Sequence, residues 1–246
     1  MKLFKKQKTT NIVTKNSLIE KIGNRIYFGP FSGTKIPKEA CDFLTISEIL
    51  GLYESCLHSK FDNLLNQEIN NVILVGGNNG YYAAGMSYLL NPQIIYIYES
   101  EDKFHPIINS WFIENKLSNT NILGKATIKE FERIKSKIDF IFMDCEGYEI
   151  ELLNPQLFLW QQKTEILLEL HPFYVDNLIA ILTSRFRKTH KIEIIYDDFN
   201  EDIKIDKILN GLELDIKFSR HPNHRWIEEN NKKVYTSGIF MYLAQK

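Results

Sequence analysis

From residue 71 onward the chain alternates short apolar runs with amphipathic stretches. "NVILVGG" reads as a strand ending in glycines, "YYAAGMSYLL" as a helix and "QIIYIYES" as a second strand. Phe104, Ile107, Ile108, Trp111 and Phe112 then recur at helical spacing, with Ser100 placed to cap that helix and Glu101 and Asp102 in its first turn. A short strand near Asn121 to Leu123, a polar helix at about Ile128 to Lys135 and the run "FIFM" follow. After another helix come "EILLEL" as a strand, "FYVDNLIAILTSRF" as a helix and "KIEIIYDD" as a strand; a polar insertion then leads to a last strand in "SGIFMYLA". Strands that are apolar throughout and separated by helices belong to a mostly parallel sheet covered on both faces. The pattern predicts a doubly wound α/β domain.

The preceding residues are patterned differently. Residues 22–40 are rich in Gly and Pro and read as loop, with one short strand at Arg25 to Phe28. From Thr45 to about Gln67, Ile46, Ile49, Leu50, Tyr53, Leu57, Phe61, Leu64 and Leu65 form one helical stripe. Two parts are therefore expected: residues 1–68 as an N-terminal arm and helical extension packed on the core, and residues 69–246 as the α/β domain.

Composition narrows this picture. A chain of 246 residues, 44% apolar and 25% charged, can bury one large core. A formal net charge of −1 offers no global attraction for nucleic acid or an anionic membrane, so neither is expected as a partner. The first 21 residues hold six lysines against Glu20 alone, which reads as a solvated terminus. They have no apolar core for a signal peptide, and no run approaches the length of a membrane span, so a cytoplasmic location is the default. Cys41, Cys56 and Cys145 are too few and too scattered for a disulfide framework or a zinc site. Association into a homo-oligomer is left open.

In an open parallel sheet, ligands sit beyond the carboxyl ends of the strands, near the point where strand order reverses. The residues just past the successive strands are Gly76-Gly77-Asn78-Asn79-Gly80, Glu99, Asp144-Cys145-Glu146-Gly147 and Glu169-Leu170-His171. Gly76, Gly77 and Gly80 permit a sharp strand-to-helix turn and a close backbone approach to a ligand. Asn78 takes the place of the second glycine in the dinucleotide fingerprint, which disfavours a nicotinamide-dependent oxidoreductase, and there is no lysine to make a P-loop. Glu99 is placed to accept hydrogen bonds from two ribose hydroxyls. Loop and acid together imply a nucleoside cofactor, with Gly76, Gly77, Asn78, Gly80, Tyr81 and Glu99 as candidate contacts.

At these residues the sequence resembles a known family. "VGGNNGYY", "IYIYES", "IDFIFMDCEGYEIELL" and "ILLELHP" stand in the order of motifs in FkbM-like S-adenosylmethionine-dependent methyltransferases. The most specific is D-x-E-G-x-E, present as Asp144, Glu146, Gly147 and Glu149; "GPFSGTKIP" and "LGLYESCL" extend the resemblance to roughly residues 29–190. It implies the class I methyltransferase fold, a Rossmann-like sheet of seven strands, with S-adenosylmethionine as cofactor. Three positions depart from the family pattern. Leu74 stands where an acid is frequent, Phe142 where many relatives have lysine, and Asn79 where an acid is common in close relatives.

In the resembled fold the fourth and fifth strands are neighbours, so Asp144 and Glu146 would face Glu169 and His171. Methyl transfer to a hydroxyl needs the acceptor held in line with the methyl carbon and its proton removed. His171 is the candidate general base, Glu169 is placed to orient it, and Asp144 is placed to contact the donor's amino group or the acceptor. Asp, Glu and His can all ligate a divalent metal, but their spacing here is not compact, so a metal is not favoured and no ligand is assigned. Glu149 and Glu151 are expected on the next helix, near its N-terminus. Residues 219–233, with Arg220, His221, His224, Arg225 and Trp226, fit an acceptor-binding flap and a solvated loop equally well. The expected function is methyl transfer to an oxygen of a small molecule or saccharide. The alternative is a catalytically inactive binding or assembly protein on the same fold, suggested by Leu74 and the altered loop.

Overall fold

A computed structural model describes residues 15–134, 136–172, 174–197, 200–216 and 238–246, together with the backbone of 225–229 and 232–236. Most of the basic arm, residues 217–224 of the insertion with Arg220, His221 and His224, and the side chains of Arg225 and Trp226 lie outside the described residues.

Seven strands form the central sheet: β1 (Asn71–Val75), β2 (Ile94–Tyr98), β3 (Thr120–Leu123), β4 (Phe140–Met143), β5 (Glu165–Glu169), β6 (His190–Tyr196) and β9 (Ile239–Gln245). Their order is β3-β2-β1-β4-β5-β9-β6. The first five are parallel, whereas β9 runs antiparallel to both of its neighbours. This is the seven-stranded, mostly parallel sheet expected of the class I methyltransferase fold. The hairpin β7 (Arg225–Glu229) and β8 (Lys232–Thr236) pairs only with itself. The strand order reverses at β1, which passes to β2 on one side and borders β4 on the other.

Alternating side chains of each strand feed two cores, as the pleat requires. Ile73, Val75, Ile141, Met143, Ile166 and Leu168 face one of them, packed with Phe131, Phe158 and Phe186. Val72, Leu74, Phe140, Phe142 and Leu167 face the other, together with Leu18, Ile26, Ile49, Leu57 and Phe61 from the N-terminal residues. Two departures from the family pattern therefore have a packing explanation. Leu74 is fully buried, and the ring of Phe142 lies 4.2 Å from that of Tyr82 and 5.9 Å from that of Phe61. A charged group at either site would sit in this apolar layer.

The helices are α1 (Lys15–Lys21), α2 (Ile46–Leu50), α3 (His58–Leu64), α4 (Tyr81–Leu90), α5 (His105–Glu114), α6 (Ile128–Arg133), α7 (Glu149–Leu152), α8 (Leu178–Phe186) and α9 (Glu201–Gly211). The stripe from Thr45 to Gln67 is broken into two helices rather than one. Gly51 ends α2 with φ +70°, where a Cβ would lie 1.9 Å from the Phe28 carbonyl oxygen, and Glu54 turns the chain again with φ +49°. Ser100 does not cap the next helix: a 3-10 turn at Asp102–Phe104 intervenes before α5. The N-terminal loop holds a single bridge, Arg25 to Lys35, in place of the expected strand. The polar insertion contains α9, whose Ile205 and Leu209 are buried. No helix among the described residues is long and apolar enough to cross a membrane.

The third departure, Asn79, clips the N-terminal residues to the glycine loop. Its amide donates to buried Glu48 at 2.6 Å, its side-chain oxygen accepts from the Tyr81 amide at 3.0 Å, and its carbonyl accepts from the Trp111 indole at 2.9 Å. Glu48 also closes the capping box of α2 with Thr45. An acid at position 79 would set two buried carboxylates against each other. Asn79→Asp is therefore expected to lower stability by about 2 kcal/mol, seen as an earlier denaturant midpoint; an unchanged midpoint would mean that the clip contributes nothing.

Candidate active site

Register alone assembles the site. Val75 pairs with Tyr98 and with Met143, and Met143 pairs with Leu168, so these four residues form one row across the sheet. The next residue on each strand is Gly76, Glu99, Asp144 or Glu169. Four residues distant in sequence thus emerge side by side at the carboxyl edge, where the strand order reverses.

Beyond β1, β2 and β4 lies a cavity of about 400 Å³, lined by Gly76, Asn78, Glu99, Phe104, Lys125 and Asp144 among others. That volume falls in the range of small-molecule sites. Glu99 is 7% exposed, and its two carboxylate oxygens accept from the amides of Asn78 and Glu101, each at 2.7 Å. The acid is thereby locked at the cavity wall with further lone pairs available. Asp144 also lines the cavity; its Oδ1 is buried on the other side, 3.6 Å from Nε2 of His171 and with no hydrogen-bond partner, which leaves its second oxygen for a ligand. A nucleoside with a cationic tail fits this donor and acceptor set: hydroxyls for Glu99, an amino group for Asp144, and the apolar surface of Phe104, Ala126 and Leu152 beside them.

The loop residues divide. Gly76 and Asn78 line the cavity; Gly77, Gly80 and Tyr81 do not. A Cβ on Gly77 would meet Ile108 and Ile97 at 2.8 Å, and one on Gly80 would meet Trp111 at 2.7 Å, so both are small to admit α5. Tyr81 is buried among Phe31, Tyr53 and Tyr82. All three are candidate ligand contacts from the sequence; in the structure Ile108 and Trp111 of α5 pack against the two glycines.

Next to the cavity, His171 is 3% exposed. Its Nδ1 lies 2.7 Å from Oε1 of Glu149, which is fully buried and also accepts from the Gly147 amide at 3.2 Å. Its Nε2 has no hydrogen-bond partner, although oxygens of Glu146, Asp144 and Glu169 stand 3.5, 3.6 and 3.7 Å away. The residue that orients the imidazole is therefore Glu149, rather than Glu169. The cause is the turn at Glu146 (φ +52°) and Gly147 (φ +101°), two consecutive left-handed residues that swing the start of α7 back beneath His171. A Cβ at Gly147 would lie 2.7 Å from the Cβ of Tyr174, whose ring is 67% exposed and centred 6.2 Å from that of His171.

Electrostatically the cluster is strained by its own charge. Burial, then the charge of Glu169, pushes Asp144 up to about 7, with His171 partly opposing. Burial lowers the His171 pKa, but the Glu149 hydrogen bond and the charges of Glu169 and Asp144 outweigh it and leave a net rise. Glu54 joins from the N-terminal side. It is buried, accepts from the Tyr82 hydroxyl, and is raised well above the usual range by burial and then by Glu169. Nothing in the sequence marked it, since it lies inside an apolar stripe and reaches the site only through its left-handed backbone. No described lysine or arginine forms a salt bridge with Asp144, Glu146 or Glu149.

A search among curated proteins finds no match to this sequence. Among solved structures, the chain is similar to an rRNA methylase from Streptococcus thermophilus, at 10% identity and a TM-score of 0.51 over 77% of this chain and 95% of that one. It is also similar to the precorrin-6y C5,15-methyltransferase of Geobacter metallireducens, at 9% identity and a TM-score of 0.49 over 76% and 86% of the two chains. A third similar structure, an O-methyltransferase from Bacillus cereus in complex with SAH, has 14% identity and a TM-score of 0.44 over 75% and 78%. The first of these supports the fold. Residues 56–189, more than half of the chain, match the methyltransferase FkbM domain, a span that contains the glycine loop, Glu99, the Asp144 to Glu149 turn and His171. The chain belongs to the FkbM methyltransferase family.

Proposed function

We propose that the protein transfers a methyl group from S-adenosylmethionine to a hydroxyl oxygen of a small molecule or saccharide. The observation that carries this reading is the register row: it sets Glu99 and Asp144 around a nucleoside-sized cavity and places Glu169 and His171 against Asp144 on the adjoining side. When bound, S-adenosylmethionine supplies a methyl carbon made electrophilic by the attached sulfonium. Glu99 holds the ribose hydroxyls, Gly76 and Asn78 form the wall of the cavity, and Asp144 faces the cationic end. The carboxylates of Asp144 and Glu169, with His171 between them, hold the acceptor hydroxyl and draw off its proton as the new bond forms. The exposed ring of Tyr174 offers a face on which an acceptor ring can lie.

Calorimetric titration tests the cofactor half. S-adenosylmethionine and S-adenosylhomocysteine are expected to bind and NAD is not. Glu99→Ala removes charge-assisted hydrogen bonds to the ribose and is expected to weaken S-adenosylhomocysteine roughly 10- to 150-fold, about 1.5–3 kcal/mol. Unchanged affinity in a folded Glu99→Ala protein would remove Glu99 from the site.

A further inference from the structure

The imidazole of His171 is arranged as a metal ligand. A histidine that ligates a metal through one nitrogen characteristically donates the other N–H to a carboxylate, which fixes the tautomer and aims the free lone pair. Here Glu149 Oε1 holds Nδ1 at 2.7 Å, and Nε2, in a side chain 97% buried by its 3% exposure, points at the carboxylates without a hydrogen bond. The three oxygens around it, at 3.5, 3.6 and 3.7 Å, are too far for charge-assisted hydrogen bonds. Ligands held about 2.1 Å from a common ion lie roughly 3.0 Å apart in octahedral and 3.4 Å apart in tetrahedral coordination. The distances from Nε2 to Asp144 and Glu169, 3.6 and 3.7 Å, sit just outside that range, and one ligand atom each from Asp144, Glu169 and His171 fall within 4.8 Å of one another, so the carboxylates would draw in around an ion.

We infer that Nε2 of His171 and the carboxylates of Asp144 and Glu169 bind a first-row divalent cation, with Glu149 as the positioning residue and Glu146 closing over the ion from the solvent side. One imidazole and two carboxylates suit manganese or zinc better than calcium or magnesium, which prefer all-oxygen shells. Four carboxylates, of Asp144, Glu146, Glu149 and Glu169, surround the imidazole, and a divalent charge beside it is a compensation that no described lysine or arginine provides for Asp144, Glu146 or Glu149. The inference rests on the reading of this cluster as the acceptor side of the methyltransferase site. It gives His171 a sharper role there, as a ligand of the ion that would hold and acidify the acceptor oxygen. A metal is not favoured from the sequence because the ligand spacing along the chain is not compact; the pairing of β4 with β5 and the buried, unpartnered Nε2 supply what the spacing lacks.

The test uses the whole chain without added cofactor, Mn²⁺ as the probe and electron paramagnetic resonance to count free ion. One Mn²⁺ per chain is expected. Asp144→Asn and His171→Ala are each expected to weaken it at least tenfold, and Glu149→Gln, which leaves all three ligands in place, by about 10- to 100-fold. Glu151→Gln, an exposed acid on α7, should bind as the parent does. Circular dichroism establishes that each variant is folded; if His171→Ala is not, Asp144→Asn decides. Failure of the parent to bind Mn²⁺ at millimolar concentration overturns the site, as does binding that Asp144→Asn leaves unchanged. S-adenosylhomocysteine is titrated into the same samples. Its binding without Mn²⁺ binding removes the ion and keeps the cofactor reading, whereas Mn²⁺ binding alone does the reverse.

Discussion

Truncating His171 to alanine is expected to cut turnover on the physiological acceptor by roughly 10²- to 10⁴-fold, the usual worth of a group that takes or steers the acceptor proton. Affinity for S-adenosylhomocysteine should stay within about threefold, because His171 lies beside the nucleoside-sized cavity and does not line it. Asp144→Asn should behave differently. Asp144 lines the cavity and also faces His171, so both turnover and cofactor affinity are expected to fall. The measurement is single-turnover transfer of a labelled methyl group, with cofactor affinity titrated separately. Turnover preserved within threefold in folded His171→Ala would remove this side chain from the acceptor site, and an equal loss of cofactor affinity in both variants would mean that the nucleoside reaches further toward β5 than the cavity indicates.

The largest stability effect is expected at Gly76. Its φ is +91°, and a Cβ there would stand 1.9 Å from the carbonyl oxygen of Asp144, a backbone atom held by the pairing of β1 with β4. A side chain forces either the turn or the sheet edge to move, and both moves displace Asp144. Gly76→Ala is expected to cost about 4 kcal/mol, the left-handed strain adding to the overpacking, and S-adenosylhomocysteine binding should disappear with it. Gly124→Ala is the control. That glycine has no neighbour within 4 Å of a built Cβ, and the change is expected to stay within about 0.5 kcal/mol. Equal denaturant midpoints for the two variants would overturn the argument.

The strands were readable because a parallel strand buried on both faces must be apolar at nearly every position, as "FIFM" is throughout and "EILLE" is between its terminal glutamates. The row of Gly76, Glu99, Asp144 and Glu169 was readable too, since strand ends in an open sheet are where polar groups collect. Other features depended on contacts that a linear pattern does not encode. The apolar spacing of residues 45–67 runs on through Gly51 and Glu54, and only the left-handed backbone at those two residues breaks the helix. α9 carries a weak stripe, Ile205 and Leu209, diluted by acids and lysines. Glu149 looked like a residue placed for the helix dipole, and it became the partner of His171 because the Glu146–Gly147 turn redirects it. Gly77 and Gly80 carry the composition of a ligand loop, yet it is Ile108 and Trp111 that require their smallness.

β9 lies between β5 and β6 and runs against both. β5 ends at Glu169 and β9 begins at Ile239, so a chain emerging from the ribosome presents β5 as an open edge while the residues between them are still being made. At about 5–20 residues per second that interval is roughly 4–14 s. Over it, "EILLE" offers unpaired amides and carbonyls to any other nascent strand, and nothing in those five residues blunts the edge with proline or lysine. The yield of correctly assembled chain should therefore depend on how fast residues 170–238 are translated, and on holdase chaperones during that wait, as much as on the stability of the finished sheet.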